Sequence, residues 1–260
     1  MYENESCKIE AYRPDDGSRI LSQSFVPTLP ETVINIPARL PRRVESVEES
    51  LKGIEFLLKG DVDEGLKVKM KMLTKKKIAL GKKDLARVRG GRLEQLVYTI
   101  LENFEKRGIF DEVKWNGAVG EFGLPSPAPG REAGIGVPDI VTRKNNTICI
   151  IEVTLLGRGR QLESTEAASV PDHIEQVKDL NPANVVMGLF VARELDKSVV
   201  RYIVSRALSG DYVIVPLDIR QLIDILRTQN ETNKNIILSQ LKLQWTSLAR
   251  NHMPNRGRTR

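Results

Sequence analysis

Apolar residues recur at helical spacing early in the chain. Val44, Val47, Leu51, Ile54, Leu57 and Leu58 predict one amphipathic helix, and a second is expected from about Asp63 towards Leu80. Gly90-Gly91 interrupts the pattern. A new helix is expected over 92–105, where Leu93, Leu96, Val97, Ile100, Leu101 and Phe104 form one stripe. Strands are then expected at Phe110 to Trp115, Val137 to Arg143, Thr147 to Leu155, Val185 to Ala192 and Tyr212 to Pro216. Helices are expected between and after them, at Pro171 to Leu180, Ser198 to Leu208 and Ile219 to Leu226. The order α-β-β-β-α-β-α-β-α predicts an α/β domain with a mixed sheet flanked by helices. Before it, residues 1–43 are rich in proline and lack periodicity, so they read as an extended arm. The segment 117–136, with Pro125, Pro127 and Pro129, reads as a long loop that either closes over substrate or is disordered. One more helix and a basic tail with Arg256, Arg258 and Arg260 are expected at the end. The expected organisation is an arm and basic helical region over 1–85, a core over 86–218, and C-terminal helices with a tail over 219–260.

The two central strands meet at Asn145-Asn146, residues that tolerate the positive φ of a two-residue hairpin turn. With the turn centred there, cross-strand partners sum to 291: Lys144 faces Thr147, Val141 faces Ile150, and Asp139 faces Glu152. Ile140, Cys149, Ile151 and Val153 lie on one face and Val141, Ile148 and Ile150 on the other, the pattern of an interior hairpin. Opposed carboxylates at the end of such a hairpin repel unless something neutralises them. Oxygen ligands without clustered cysteine or histidine suit Mg²⁺, with Mn²⁺ as a substitute, better than zinc. The bland alternative gives Asp139 a turn-capping role and pairs Glu152 with Arg143 or a neighbouring basic helix.

Composition narrows the class. The chain has 260 residues and is 40% apolar, enough for a substantial core. No long apolar run or secretory signal is present, so a cytoplasmic protein without a membrane segment is expected. Cys7 and Cys149 are the only cysteines, which argues against a disulfide framework or a zinc cluster. The net charge is +6, yet the basic residues are unevenly placed: eleven stand between Lys67 and Arg92 against one acid, Asp84. This band, including Lys75, Lys76, Lys77, Lys82, Lys83, Arg87 and Arg89, is a candidate DNA-binding footprint, with a solvated basic helix as the alternative.

Gly136-Val137-Pro138-Asp139, thirteen residues ahead of Glu152-Val153-Thr154, resembles the PD-(D/E)XK nuclease superfamily. The order of elements from Gly91 to Pro216 is similar to its restriction-endonuclease-like core. That superfamily usually has lysine two residues after the glutamate, where this chain has Thr154. Glu166 and His173 follow at seven residues' separation, and the whole pattern resembles the AlwI-type restriction endonucleases, which include type IIS and nicking enzymes. The resemblance implies an active site at the matching Asp139, Glu152, Glu166 and His173, with Asp139 and Glu152 on the metal. Glu94 is a fifth candidate on the first core helix, although an amphipathic helix also offers it a surface role. Glu163 competes with Glu166 as the inward acid. His173 is expected in the first turn of a helix capped by Ser169 and opened by Pro171, where its imidazole is placed to orient or deprotonate water, through Glu166 or directly, unless it is a surface residue.

The function expected is that of a Mg²⁺-dependent type II endonuclease of double-stranded DNA, acting as a type IIS-like enzyme or its strand-cleaving subunit. No large recognition module stands out in 1–85, so a larger recognition subunit or a homodimer is the expected partner. Two alternatives remain open: another nuclease of this fold, such as a transposon end-cleaving subunit or junction resolvase, and a degenerate DNA-binding module, which Thr154 would explain.

Overall fold

A computed structural model of the protein describes residues 7–12, 19–25, 45–129, 136–157, 159 and 166–252. The tail arginines, Glu163 and residues 130–135 of the expected loop lie outside the described residues. The chain divides into two compact units, Met1–Arg43 and Val44–Arg260. In the first, the region read as an arm contains β1 (Cys7–Tyr12) and β2 (Arg19–Phe25), paired antiparallel.

The second unit begins with α1 (Val47–Leu58) and α2 (Glu64–Lys75). Ser46 and Glu49 form a reciprocal cap at the start of α1, and Asp63 caps α2 through the amide of Leu66. Both helices contribute to the main core: Leu51, Ile54, Leu57, Leu66 and Leu73 are buried with the stripe of α3 (Lys82–Lys106). Arg92 on α3 fixes the join. Its guanidinium donates to Asp63 at 2.7 and 3.1 Å and to Glu45 at 2.7 Å, so this member of the basic band is buried and committed to protein partners.

Helix α3 runs unbroken through Gly90-Gly91, contrary to the break expected there. Gly91 is required by a close approach. A Cβ at that position would lie 2.6 Å from the carbonyl carbon of Ser126 and 2.7 Å from the nitrogen of Pro127. That backbone belongs to a short antiparallel ribbon, β4 (Ala118–Val119) with β5 (Pro125–Ser126), which gives order to the first part of the expected loop. Among the described residues, a Cβ at Gly90 would meet nothing within 4 Å.

The sheet has five strands in the order β3-β6-β7-β8-β9: β3 (Glu112–Trp115), β6 (Ile140–Lys144), β7 (Thr147–Thr154), β8 (Val185–Ala192) and β9 (Ile214–Asp218). The first three run antiparallel and the last three parallel. The hairpin register follows the expected sum, from Lys144 opposite Thr147 to Ile140 opposite Ile151. Of the two turn residues, only Asn145 has positive φ, at 50°. Its amide donates to Asp111 at 2.6 Å, which ties the turn to the entry of β3. β9 starts two residues later than expected because Asp211, at φ 55°, still belongs to the preceding turn.

Helices cover both faces. Ile140, Cys149, Ile151 and Val153 pack with α1, α3, α6 (Ile219–Asn230) and α7 (Ile237–His252). Ile150 and Phe190 face the other way, onto α4 (Ser169–Leu180) and α5 (Lys197–Ser209). This is the mixed α/β architecture expected from the pattern, and among the described residues no helix is long and apolar enough to cross a membrane.

The two glycines should respond oppositely to alanine. Gly90→Ala should raise thermal stability by up to about 1 kcal/mol through helix propensity. Gly91→Ala should lower it, because the Ser126-Pro127 backbone must move. Thermal and urea unfolding of both variants will measure this, and equal shifts of the same sign would contradict the close approach.

Candidate active site

The end of the β6–β7 hairpin positions the acids. Asp139 directly precedes β6, just beyond the last ladder pair, and its Oδ2 accepts the amide of Val153 at 2.8 Å. Asn116 steadies this corner: its amide donates to the Asp139 carbonyl at 3.0 Å and its side chain to the Pro138 carbonyl at 2.6 Å. Glu152 lies two residues before the end of β7 and is 8% exposed. Its carboxyl is within hydrogen-bonding reach of Asp139 and bonds to Nδ1 of His173.

His173 comes from α4, which starts earlier than expected. Ser169 is the first helical residue, not the cap, and its hydroxyl donates to the Glu166 carbonyl at 2.7 Å. Pro171 therefore occupies the third helical position, still in the first turn, where its lack of an N–H breaks no helical bond. This puts His173 in the second turn. Its observed partner is Glu152, whereas the sequence reading linked it to Glu166.

Glu94 enters from α3 and is 3% exposed. Its Oε2 accepts the Trp115 indole N–H at 3.2 Å and the Ala128 amide at 3.0 Å. It therefore anchors the segment after β5 and is not the surface residue an amphipathic helix also allowed.

Glu94, Asp139, Glu152, Glu166 and His173 all line one cleft of about 440 Å³. Thr154 lines it too, as do Pro127, Ala128 and Pro129. That proline segment belongs to the loop read as either closing over substrate or disordered, and the alternation Pro125-x-Pro127-x-Pro129 favours an extended chain able to lie along a helix.

Electrostatics follow from four carboxyls around one space. Burial pushes Glu94 up to about 7, and the charges of Glu152 and Glu166 push the same way, against the two hydrogen bonds it accepts. Burial raises Asp139 well above the ordinary range, with Glu152 and Glu94 adding to the effect. Glu152 is raised by burial despite the lowering influence of His173, and Glu166 by burial and then by Glu152. Burial beside like charge is the common cause of these shifts.

The donor set suits a hard divalent cation: two carboxylates close together, partly or fully buried, with no Lys or Arg ion pair among the described residues. Asp139 and Glu152 fit as its holders. Among the described residues no three His, Cys, Asp or Glu side chains are grouped to hold a metal, so further ligands would be water or substrate oxygens.

Of the remaining candidates, Arg87 lines this cleft and the others do not. Lys75, Lys76, Lys77, Lys82, Lys83 and Arg87 are exposed on α2, the following turn and the start of α3. Lys76 sits 5.8 Å from the ring centre of Phe122. Arg89 is half-buried and donates to the Leu57 carbonyl at 3.0 Å, at the end of α1. Of the cysteines, Cys149 is a buried free thiol raised to about 12 by burial, in keeping with a bystander.

Comparison with known proteins gives one family match, in which the model for the AlwI restriction endonuclease covers residues 64–225. A solved structure, the small subunit of the heterodimeric restriction endonuclease R.BspD6I, is similar with a TM-score of 0.48 at 22% identity, over 63% of this chain and 81% of that one. Comparison with curated proteins gives no match.

The raised carboxyls set a pH dependence of stability. Glu94 binds its proton more tightly folded, at about 7, than unfolded, at the ordinary 4.5, so its contribution is full below pH 4.5 and is lost as pH rises through 7. Asp139, Glu152 and Glu166 act in the same direction. Metal-free protein should therefore melt at lower temperature at about pH 8 than at about pH 5, and Glu94→Gln should flatten the slope. Circular dichroism melts in EDTA will check this; a melting temperature that rises with pH would refute it.

Proposed function

The chain belongs to the AlwI restriction endonuclease family, a family of DNA endonucleases, and from that premise we propose that it hydrolyses phosphodiester bonds of double-stranded DNA with Mg²⁺ held by Asp139 and Glu152. The observation that carries this reading is the convergence of Glu94, Asp139, Glu152, Glu166 and His173 on one cleft. When bound, the cation would polarise the phosphoryl oxygen and make a coordinated water more acidic.

The chain's own residues supply position and proton handling. The Val153 amide fixes one oxygen of Asp139, a residue that lines the cleft. His173, held through Nδ1 by Glu152, is oriented so that its ring can hold or accept a proton of the attacking water. Glu166, raised in the same cleft, is the second acid able to take that proton. Glu94 keeps the Ala128 segment against the cleft and so shapes its wall. Exposed Lys75, Lys76, Lys77, Lys82 and Lys83 provide sequence-independent contacts to the DNA backbone.

One such cleft cuts one strand. A duplex break needs a second site, in a recognition subunit or a second copy, and this supports the reading of the chain as the strand-cutting component of a type IIS-like enzyme. Thr154 favours one rival, a degenerate DNA-binding module.

Incubation of supercoiled plasmid with the protein decides between them. Relaxed circles should form with Mg²⁺ or Mn²⁺ and not with EDTA. Asp139→Asn and Glu152→Gln should each slow nicking by more than about 100-fold while leaving salt-sensitive DNA affinity in place. Binding without cleavage under either metal, alone or with a recognition subunit, would establish the degenerate module instead. His173→Ala should slow nicking by about 100-fold and flatten its pH profile. Full activity in that variant would remove the histidine from the mechanism.

A further inference from the structure

Helix α3 carries three arginines in its first half, and two of them are committed to protein partners. Arg92 is buried against Asp63 and Glu45, and Arg89 donates to the Leu57 carbonyl. Arg87 is exposed and forms no hydrogen bond or ion pair with the described residues. It also lines the cleft, and among the described lining residues it is the one lysine or arginine.

Its placement follows from helix geometry. Residues 87, 90, 91 and 94 share one face at the i, i+3, i+4, i+7 spacing, so Arg87 stands two turns before Glu94 on the same side. Between them the helix presents two glycines. Gly91 is covered by the Ser126-Pro127 backbone, while open space faces Gly90, which also lines the cleft. No side chain on that face therefore blocks Arg87 from the space that the acids surround. Two adjacent glycines in a helix interior weaken the helix relative to alanine, and an open face towards the cleft is what Gly90 provides in return.

We propose that Arg87 binds the non-bridging oxygens of the phosphate being cut and supplies there the positive charge that Thr154 cannot. In the hydrolysis a water oxygen forms a bond to phosphorus and the bond from phosphorus to one deoxyribose oxygen breaks. One water proton passes to a base in the cleft, and the departing oxygen takes up a proton. Negative charge builds on the non-bridging oxygens in between, in a space that already holds four carboxyls. A guanidinium offers two parallel donors to a phosphate and keeps its charge throughout. This separates Arg87 from the neighbouring lysines, whose contacts to the DNA backbone affect affinity alone.

The inference rests on the nuclease reading above, and the test distinguishes the two. Nicking is followed under single-turnover conditions at saturating protein with Mg²⁺, and affinity is measured separately with Ca²⁺ in place of Mg²⁺. Arg87→Ala and Arg87→Gln should each slow the cutting step about 100-fold, with affinity reduced less than about fivefold. Arg87→Lys should recover part of the rate. Once the cut position is mapped, a neutral methylphosphonate there should weaken Ca²⁺-dependent binding by the unaltered protein more than binding by Arg87→Ala. An unchanged cutting rate in Arg87→Ala, or a loss confined to affinity, would overturn the inference and leave the nuclease reading intact. No nicking by the unaltered protein would remove both.

Discussion

The antiparallel register between β6 and β7 is the constraint on which the site depends. It brings residues that are thirteen apart in sequence to adjacent positions at one end of the sheet. A slip by one residue would turn Glu152 to the opposite face and expose the Ile140, Cys149, Ile151 and Val153 set that anchors the main core. Core and site are thus specified by one alternation. The register is pinned at both ends: at the turn by Asp111, which takes the Asn145 amide and the Lys144 ammonium, and at the cleft by Asp139 on the Val153 amide.

Helix α3 connects that hairpin to the rest of the molecule. One stripe of it fills the core, Arg92 ties it to the α1–α2 junction, and a third face lines the cleft with Glu94. Its glycines make sense only in this setting. Taken alone, Gly-Gly in a helical pattern signals an end, because each glycine weakens the helix. The packing of α1 and the ribbon backbone against α3 outweighs that local preference.

What was legible in the sequence followed from short-range regularities. The hairpin register came from a period of two and a tight turn, and the five cleft residues came from the resemblance and from the spacing of Glu166 to His173. Interactions set by partners distant in sequence were hidden. The burial of Arg92 depends on Asp63 and Glu45, 29 and 47 residues away, and charge patterning alone groups it with the rest of the basic band. The preference of proline for the first helical position predicts a start at Pro171, two residues later than observed, because proline is in fact tolerated throughout the first turn. Likewise, only the packed structure shows that His173 reaches Glu152 in preference to Glu166.

Clustering acids in a buried cleft makes stability and catalytic readiness respond to pH in opposite senses. As protons leave, mutual repulsion among Glu94, Asp139, Glu152 and Glu166 grows and the fold loses stability. The same loss creates the charge that would attract a divalent cation and, through it, a phosphate. A rigid frame is needed to hold the acids together in the interval. The centre of the sheet supplies it, since β7 is flanked by β6 on one side and β8 on the other, and Phe190 packs opposite Glu152 on the adjoining strand. The destabilising residues thus sit at the end of the best-supported strand, where the surrounding core can hold them near one another before any ligand neutralises them.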